Sequence, residues 1–354
     1  MKSNSKFFKY SKTLPVDEFF QTVLYDRKFG YYFSKQPFGS DGDFITSPKI
    51  TNLFSEIIAI WIISTWEIFG KPKNFNIVEL GPGDGVMAKS LLNVFKKFPE
   101  FYNAQNLFLF EKSKLLKKIQ KNNIKHSKIY WINNFNKIKK GPVIFFGNEF
   151  FDAIPIKQFK ISNNSIFEKC YMLEKNNKIK EIFQKASISD IKIIKSYKTL
   201  KNLKFIEFPK LGFKELEKVV NKISELNGCL MLIDYGYLKP HNLSTLQSVM
   251  KHKKNMILEN LGNADITSHV NFSLLKEFFL KKNLKVKNII SQRDFLKNMG
   301  ILDRANLLSK KMKFSDQADL YLRLKRLLSS KGMGNLFKVI LAYKHFKSNY
   351  YGFN

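Results

Sequence analysis

The run Ile77-Val78-Glu79-Leu80-Gly81-Pro82-Gly83-Asp84-Gly85 constrains the fold of this chain more than any other stretch. Its apolar start reads as a buried strand, and glycines at 81, 83 and 85 follow directly, with helical spacing beyond them. Glycine accepts a positive φ and lets the backbone pass close to a ligand, so the pattern predicts a strand turning into a helix over a small molecule. The spacing is G-x-G-x-G, not the G-x-G-x-x-G that cradles a pyrophosphate in dinucleotide enzymes. Such a turn suits the amino-acid moiety of S-adenosylmethionine, with the Glu79 carboxylate answering its ammonium group directly or through water. A tight strand-to-helix turn with no ligand is the alternative.

The rest of the chain agrees with a sheet built around that strand. Asn76–Leu80, Leu107–Phe110, Ile129–Ile132, Val143–Phe146 and Leu230–Ile233 read as buried strands, separated by helices near 84–98, 112–122 and 213–227. This alternation predicts an α/β, Rossmann-like fold with a mostly parallel sheet of about seven strands and helices on both faces. Lys285–Ile290 and Leu336–Tyr343 would supply the last strands, one of them antiparallel at or near the edge. Four segments are expected: an N-terminal helical cap with its loop (1–70), the first part of the sheet domain (71–152), an inserted α+β substrate lobe (153–212), and the remainder (213–354). The last contains a helical insertion near 303–330, whose Leu307, Leu308, Leu320, Leu324 and Leu327 read as core.

Three further acids fall where such a fold would use them. Glu111 ends the strand Phe108-Leu109-Phe110, where it can accept hydrogen bonds from both hydroxyls of a ribose. Trp131 and Ile132 close the third strand and could flank an adenine, with simple burial as the other reading of Trp131. The fourth strand runs into Gly147-Asn148-Glu149-Phe150-Phe151-Asp152 at the sheet edge where open α/β folds bind substrate. Asn148, Glu149 and Asp152 are the candidate catalytic residues: carboxylates that clamp a guanidinium or amine orient its nitrogen along the S–CH₃ axis and localise its charge. Asp152 capping a helix, or Asn148 pinning a turn, would explain either residue taken singly.

Charge and cysteine usage limit the partners. The chain carries 61 Lys and Arg against 29 Asp and Glu, a formal charge of +32 that would collect polyanions without a specific site. Arginine, which reads phosphates and bases bidentately, occurs only at 27, 293, 304, 323 and 326, so the lysines read as a solvated surface and nucleic acid is not expected. Cys170 and Cys229 lie in apolar runs and read as buried thiols of a reducing compartment, and no metal site is implied. Leu53–Phe69 is interrupted by Ser55, Glu56, Ser64, Thr65 and Glu67, so it reads as a buried helix, not a membrane span. No apolar h-region follows the N-terminal lysines, and a soluble cytoplasmic protein is expected.

These motifs resemble the MidA family of class I methyltransferases over nearly the whole chain. The matching segments are GYYFSKQPFGSDGDFITSP, VELGPGDG, GNEFFDAIPIKQF, LIDYGY, STLQSVMKH, ENLGNADITSHVNF, QRDFLKNMGI and MGNLFKVI. The resemblance implies S-adenosylmethionine as cofactor, bound at Glu79, Gly81, Gly83, Gly85 and Glu111. It further implies a protein substrate, since the mitochondrial member is associated with symmetric dimethylation of an arginine in a core subunit of respiratory complex I during assembly. It adds Thr46 and Ser47, with Gly42, Asp43, Phe44 and Pro48, as a segment that closes over the cofactor, and Asp234 and Tyr235 near the active-site edge. The chain departs from the pattern at Asp84, where many relatives carry a basic residue, and at Tyr237, where many carry His, which weakens the case for His-dependent proton transfer there. His269 could serve as a general base but reads as structural.

A protein arginine N-methyltransferase is therefore expected. One rival keeps methyl transfer but moves the acceptor to RNA, DNA or a small molecule; the basic charge favours it, and the N-E-F-F-D loop, unlike the N/D-P-P-Y pattern of exocyclic base amines, opposes it. Another is an assembly factor that binds S-adenosylmethionine without essential catalysis. An NAD-dependent oxidoreductase is disfavoured by the glycine spacing.

Overall fold

The computed structural model of the chain describes residues 4–9, 11–34, 47–126, 128–344 and 350–353; Gly42, Asp43, Phe44 and Thr46 lie outside them. Two compact units emerge. One comprises the described parts of 1–44, 151–217 and 237–278, the other those of 45–150, 218–236 and 279–354.

The second unit holds the sheet. Its central strand, Phe75–Leu80, is buried at every residue and pairs in parallel with Gln105–Phe110 on one side and Val143–Asn148 on the other. Ile129–Ile132 adds in parallel beyond Gln105–Phe110, and Gly228–Tyr237 beyond Val143–Asn148. Phe337–Tyr343 then runs antiparallel to Gly228–Tyr237, and Lys285–Val286 lies outside it. Numbered in chain order, the main path of the sheet reads 3-2-1-4-5-7-6, and strand seven is the antiparallel one among the described residues. The order reverses between strands one and four, and this switch point, where open α/β folds bind ligands, lies at the carboxyl ends of Phe75–Leu80 and Val143–Asn148, beside the glycine turn and Asn148.

Helices Val86–Phe95, Lys114–Asn123 and Lys210–Leu226 fall where helical spacing predicts them. The apolar stretch after Thr51 is the helix Asn52–Ile68, opened by the Thr51 side chain accepting from the Leu53 amide at 3.3 Å. It is apolar almost all round because most of it is buried, with Phe54, Ile58, Trp61 and Ile62 fully enclosed. Thr65 is tolerated there because its hydroxyl donates to the Trp61 carbonyl at 2.8 Å. Among the described residues no helix is long and apolar enough to cross a membrane. In the helical insertion, Ile301–Ser309 and Phe314–Leu328, Leu320, Leu324 and Leu327 are core as expected, but Leu307 is 59% exposed, because the helix that carries it packs on a different face.

The first unit is built on an antiparallel sheet. Ser165–Leu173 pairs with Lys157–Ser162, Ile179–Lys185 and Thr13–Pro15, and Phe205–Phe208 completes it beside Lys157–Ser162. Three short strands, Lys253–Asn255, Gln247–Met250 and Asp265–Thr267, form a separate antiparallel sheet that no apolar alternation announces. Buried Lys157 joins the helix Val16–Tyr25 to the lobe through Asp17 at 3.4 Å, Asp190 at 3.7 Å and a closer contact with Glu168.

The two units cut across the four segments expected from the sequence. The N-terminal cap divides: the described part of 1–44 clusters with the lobe, through the Thr13–Pro15 strand and Asp17, whereas the helix Asn52–Ile68 belongs to the sheet unit. Residues 237–278 also join the lobe, so it is not confined to 153–212. Local patterning marks elements, whereas the grouping depends on pairings between residues far apart in the chain.

Candidate active site

The glycine turn has the backbone its composition requires. Gly81, Gly83 and Gly85 have φ of 66°, 57° and 82°, in the left-handed region that side chains resist. The Gly81 amide donates to the Phe110 carbonyl at 3.1 Å and the Gly85 amide to the Pro82 carbonyl at 2.8 Å, fixing the turn to strand two and closing it on itself. A Cβ at Gly81 would lie 2.8 Å from the Phe150 ring, and one at Gly85 would lie 2.7 Å from Ile124 Cδ1. Asp84 is paired with Lys49 at 2.6 Å, which ties the segment after Ser47 to the turn.

Glu79 is 4% exposed, and its Oε2 is buried without a hydrogen-bond partner among the described residues. Burial, with the negative charge of Asp84 as a smaller cause, pushes its carboxyl up to about 8. A buried acid held this way beside a glycine turn fits a cationic ligand group. In the ligand-free protein the folded Glu79 retains a proton that the unfolded chain releases near its ordinary value of 4.5. Its contribution to stability is therefore complete below that pH and is lost as pH rises toward about 8. Glu79→Gln is expected to raise the melting temperature of the ligand-free protein at a pH near 8 and to leave it unchanged near pH 4, as scanning calorimetry would show. An equal shift at both values would remove the carboxyl as the cause. Binding of an ammonium group should also discharge the proton, which appears as a buffer-dependent binding enthalpy.

Glu111 sits at the end of strand two, 8% exposed. Its amide donates to the Ile132 carbonyl at 3.4 Å, its Oε1 accepts from the Ser113 amide at 2.7 Å, and its Oε2 accepts from Gln120 Nε2 at 3.3 Å. Burial raises this carboxyl's pKa, and the Ser113 and Gln120 hydrogen bonds work against the rise. Trp131 is half-buried and donates through Nε1 to Gln120 Oε1 at 2.9 Å, while Ile132 is buried. Gln120 is absent from the sequence-based candidates, yet it touches Glu111, Trp131 and, at 2.8 Å, the Gly83 carbonyl. One signal could have found it: a polar residue four positions after Leu116 on the apolar face of a lysine-rich helix.

On the other side of the turn, Asn148 ends strand four and its Nδ2 donates to Glu149 Oε1 at 2.9 Å. The Ser47 amide donates to the same oxygen at 3.1 Å. Ser47 is thus placed against Glu149, while Thr46 lies outside the described residues. Glu149 itself has a φ of 52°, a strained conformation for a non-glycine residue, held by its amide donating to the Ile233 carbonyl at 2.9 Å. Asp234 is buried, with its Oδ1 accepting from the Tyr235 amide at 2.9 Å.

The boundary between the two units falls after Phe150, so Asp152 belongs to the first unit. There it is 6% exposed, and its carbonyl accepts from the Ser268 amide at 3.0 Å. Tyr32, whose hydroxyl donates to Asp265 at 2.9 and 3.0 Å, lies within the electrostatic reach of Asp152. Tyr237 and His269 line, with Phe151 and Glu207, a cavity of about 20 Å³, room for a water but not for a side chain. Burial, then the neighbouring His241, holds the His269 imidazole below its ordinary pKa, and its amide donates to Thr245 Oγ1 at 3.0 Å.

A sheet of this order, with acids at the ends of strands one and two and a glycine turn between them, is that of a class I methyltransferase. A solved structure from Burkholderia thailandensis, a superfamily member bound to S-adenosyl-homocysteine, has the same fold: TM-score 0.82 over 96% of this chain and 90% of that one, at 21% identity. In sequence, the protein arginine methyltransferase NDUFAF7, mitochondrial, of Xenopus tropicalis is 28% identical over 95% of this chain and 84% of its own length. The Caenorhabditis elegans homolog of that name is 30% identical over 84% of this chain and 75% of its own. Residues 57–290 match a family of S-adenosyl-L-methionine-dependent methyltransferases, and the chain belongs to that family. Its cofactor is accordingly S-adenosylmethionine.

Proposed function

We propose that this methyltransferase acts on the guanidinium nitrogens of arginine in a protein substrate, with a respiratory complex I subunit as the acceptor the family resemblance suggests. The observation that carries this reading is the Glu149 carboxylate, held at a strained φ of 52° with the Ser47 amide and Asn148 Nδ2 converging on its Oε1. Strain maintained in a loop at the sheet's binding edge supports a functional constraint. A carboxylate fixed in direction suits a planar, cationic acceptor better than a neutral base amine. The names of the relatives quoted above support the same acceptor.

S-adenosylmethionine, when bound, supplies an electrophilic methyl group. Glu149 accepts an N–H of the acceptor and thereby orients the nitrogen for in-line attack, and its charge offsets the charge on the acceptor. Asp152, in the same N-E-F-F-D segment, is proposed to accept a further N–H. Asn148 serves by holding Glu149. Glu79 takes the ammonium end of the cofactor and Glu111 its ribose. We also assign substrate recognition to the lobe containing 153–212, and the compartment to the cytoplasm, supported by the unbridged buried thiols Cys170 and Cys229. A fluorescent fusion that concentrates in an organelle overturns the latter.

The test is a transfer assay with isotopically labelled methyl donor and extract from cells lacking the enzyme, followed by acid hydrolysis and amino-acid analysis of the labelled product. Label in symmetric dimethylarginine is expected. Label confined to RNA or to small molecules would overturn the arginine reading.

A further inference from the structure

Gln120 has a geometry that its contribution to folding does not explain. It is fully buried in the helix Lys114–Asn123, where Leu116 is its buried neighbour. A leucine there would fill similar space without the cost of desolvating an amide, so stability alone gives little reason for glutamine. The orientation of the amide is also determined. Trp131 Nε1–H can only donate, so Gln120 Oε1 must face it at 2.9 Å. Nε2 then faces the Gly83 carbonyl at 2.8 Å and Glu111 Oε2 at 3.3 Å, which uses both of its hydrogens. With Oε1 of Glu111 held by the Ser113 amide at 2.7 Å, both carboxylate oxygens are anchored and each keeps a lone pair for a hydroxyl.

We propose that Gln120 is a positioning residue that locks Glu111, the glycine turn and Trp131 into one unit, so that the ribose hydroxyls are read by Glu111 only while the amide is in place. The proposal rests on Glu111 reading the ribose. Gln120 joins a backbone carbonyl of the turn that receives the amino-acid end of the cofactor to the two side chains assigned to its nucleoside end. Those parts come from three separate stretches of chain, around residues 83, 111 and 131, and within the described structure this amide bonds to all three.

The test uses Gln120→Met, which keeps volume and helix compatibility but removes the polar atoms. Binding of S-adenosylhomocysteine and of its 2′-deoxy counterpart is measured by titration calorimetry on the full chain, beside Glu111→Ala. Wild type is expected to prefer the ribose ligand by about tenfold or more, the scale of a hydrogen bond to a charged group. Gln120→Met should lose most of that preference, by weakening the ribose ligand about tenfold and the deoxy ligand little. Trp131 emission in the ligand-free variant should change, since the indole N–H loses its partner; the other tryptophans, Trp61 and Trp66, are buried elsewhere. Equal weakening of both ligands, or unchanged emission with unchanged preference, would overturn the proposal. Glu111→Ala separates the two ideas, because a ribose preference that survives it overturns the Glu111 assignment whatever Gln120→Met does. Should Gln120→Met not fold, Trp131→Phe, which removes the N–H orienting the amide together with part of the ring, is expected to cut the same preference several-fold, and a preference left intact there overturns the coupling.

Discussion

Gly81→Val is expected to abolish measurable binding of S-adenosylhomocysteine while leaving a folded protein of lower melting temperature. Two independent costs meet at this position. At φ 66° a β-branched residue sits in the left-handed region, a penalty of about 1–3 kcal/mol. The new Cβ would also fall 2.8 Å from Cδ2 of Phe150, so the ring or the turn must move, for a further cost of about 1–3 kcal/mol. Phe150 follows Glu149, and the Gly81 amide is bonded to the Phe110 carbonyl next to Glu111, so relief in either direction displaces a residue of the site. A loss of about 3 kcal/mol in the binding-competent arrangement corresponds to more than ~100-fold in affinity. Gly70→Ala is the control: its φ is 79°, but a Cβ there meets nothing within 4 Å, so it should lower stability by about 1 kcal/mol and leave the affinity unchanged. Titration calorimetry and thermal melts of both variants make the comparison, and an equal loss of affinity in Gly70→Ala would show that remote strain suffices.

The paired substitution Glu149→Gln, Asp152→Asn should reduce methyl transfer by more than ~100-fold, the scale of removing preorganised electrostatic contacts from a transfer site. Cofactor affinity should stay within about threefold, because neither side chain belongs to the turn or to the Glu111 cluster. The local fold should persist as well. A glutamine oxygen at 149 can still accept from the Ser47 amide and Asn148 Nδ2, and Asp152 is anchored through its backbone carbonyl to the Ser268 amide. Transfer rates from radiolabelled donor, with calorimetry for cofactor binding, give the two numbers needed. Wild-type transfer in the paired variant would remove the loop from catalysis. Full rescue of complex I assembly by a transfer-dead variant would instead favour the rival in which the protein binds cofactor and acts by holding its partner.

Most of the proposed cofactor side of the site could be read along the chain because its parts are local. A strand, a turn of positive φ and a helix follow one another between Phe75 and Phe95, and glycine at 81, 83 and 85 is the residue such a turn demands. Glu111 was visible for the same reason, as an acid at the end of an apolar run. The spacing after Leu116 can mark Gln120 as a polar residue on a buried face, but nothing in Lys114–Asn123 says which surface that face meets. Ser47 and Glu149 are 102 residues apart, and a backbone amide donating to a carboxylate leaves no trace in residue type. Lys49 and Asp84 are opposite charges in a chain full of lysine, so their pairing had no more claim than many others.

By itself the sequence determined the elements and their kind: the parallel strands with their crossover helices, the antiparallel late strand, the glycine turn and the acids at strand ends. Periodicity and φ preference are properties of neighbouring residues, and they specify these features before any long-range contact forms. Tertiary structure alone decided which segments share a core, placing the described part of 1–44 and 237–278 with the inserted lobe and the helix Asn52–Ile68 with the sheet. It likewise raised Glu79 to about 8, because desolvation is set by what surrounds a carboxyl in space. The amide of Gln120, enclosed by a turn, an acid and an indole from three parts of the chain, acquires its role only when folding brings them together.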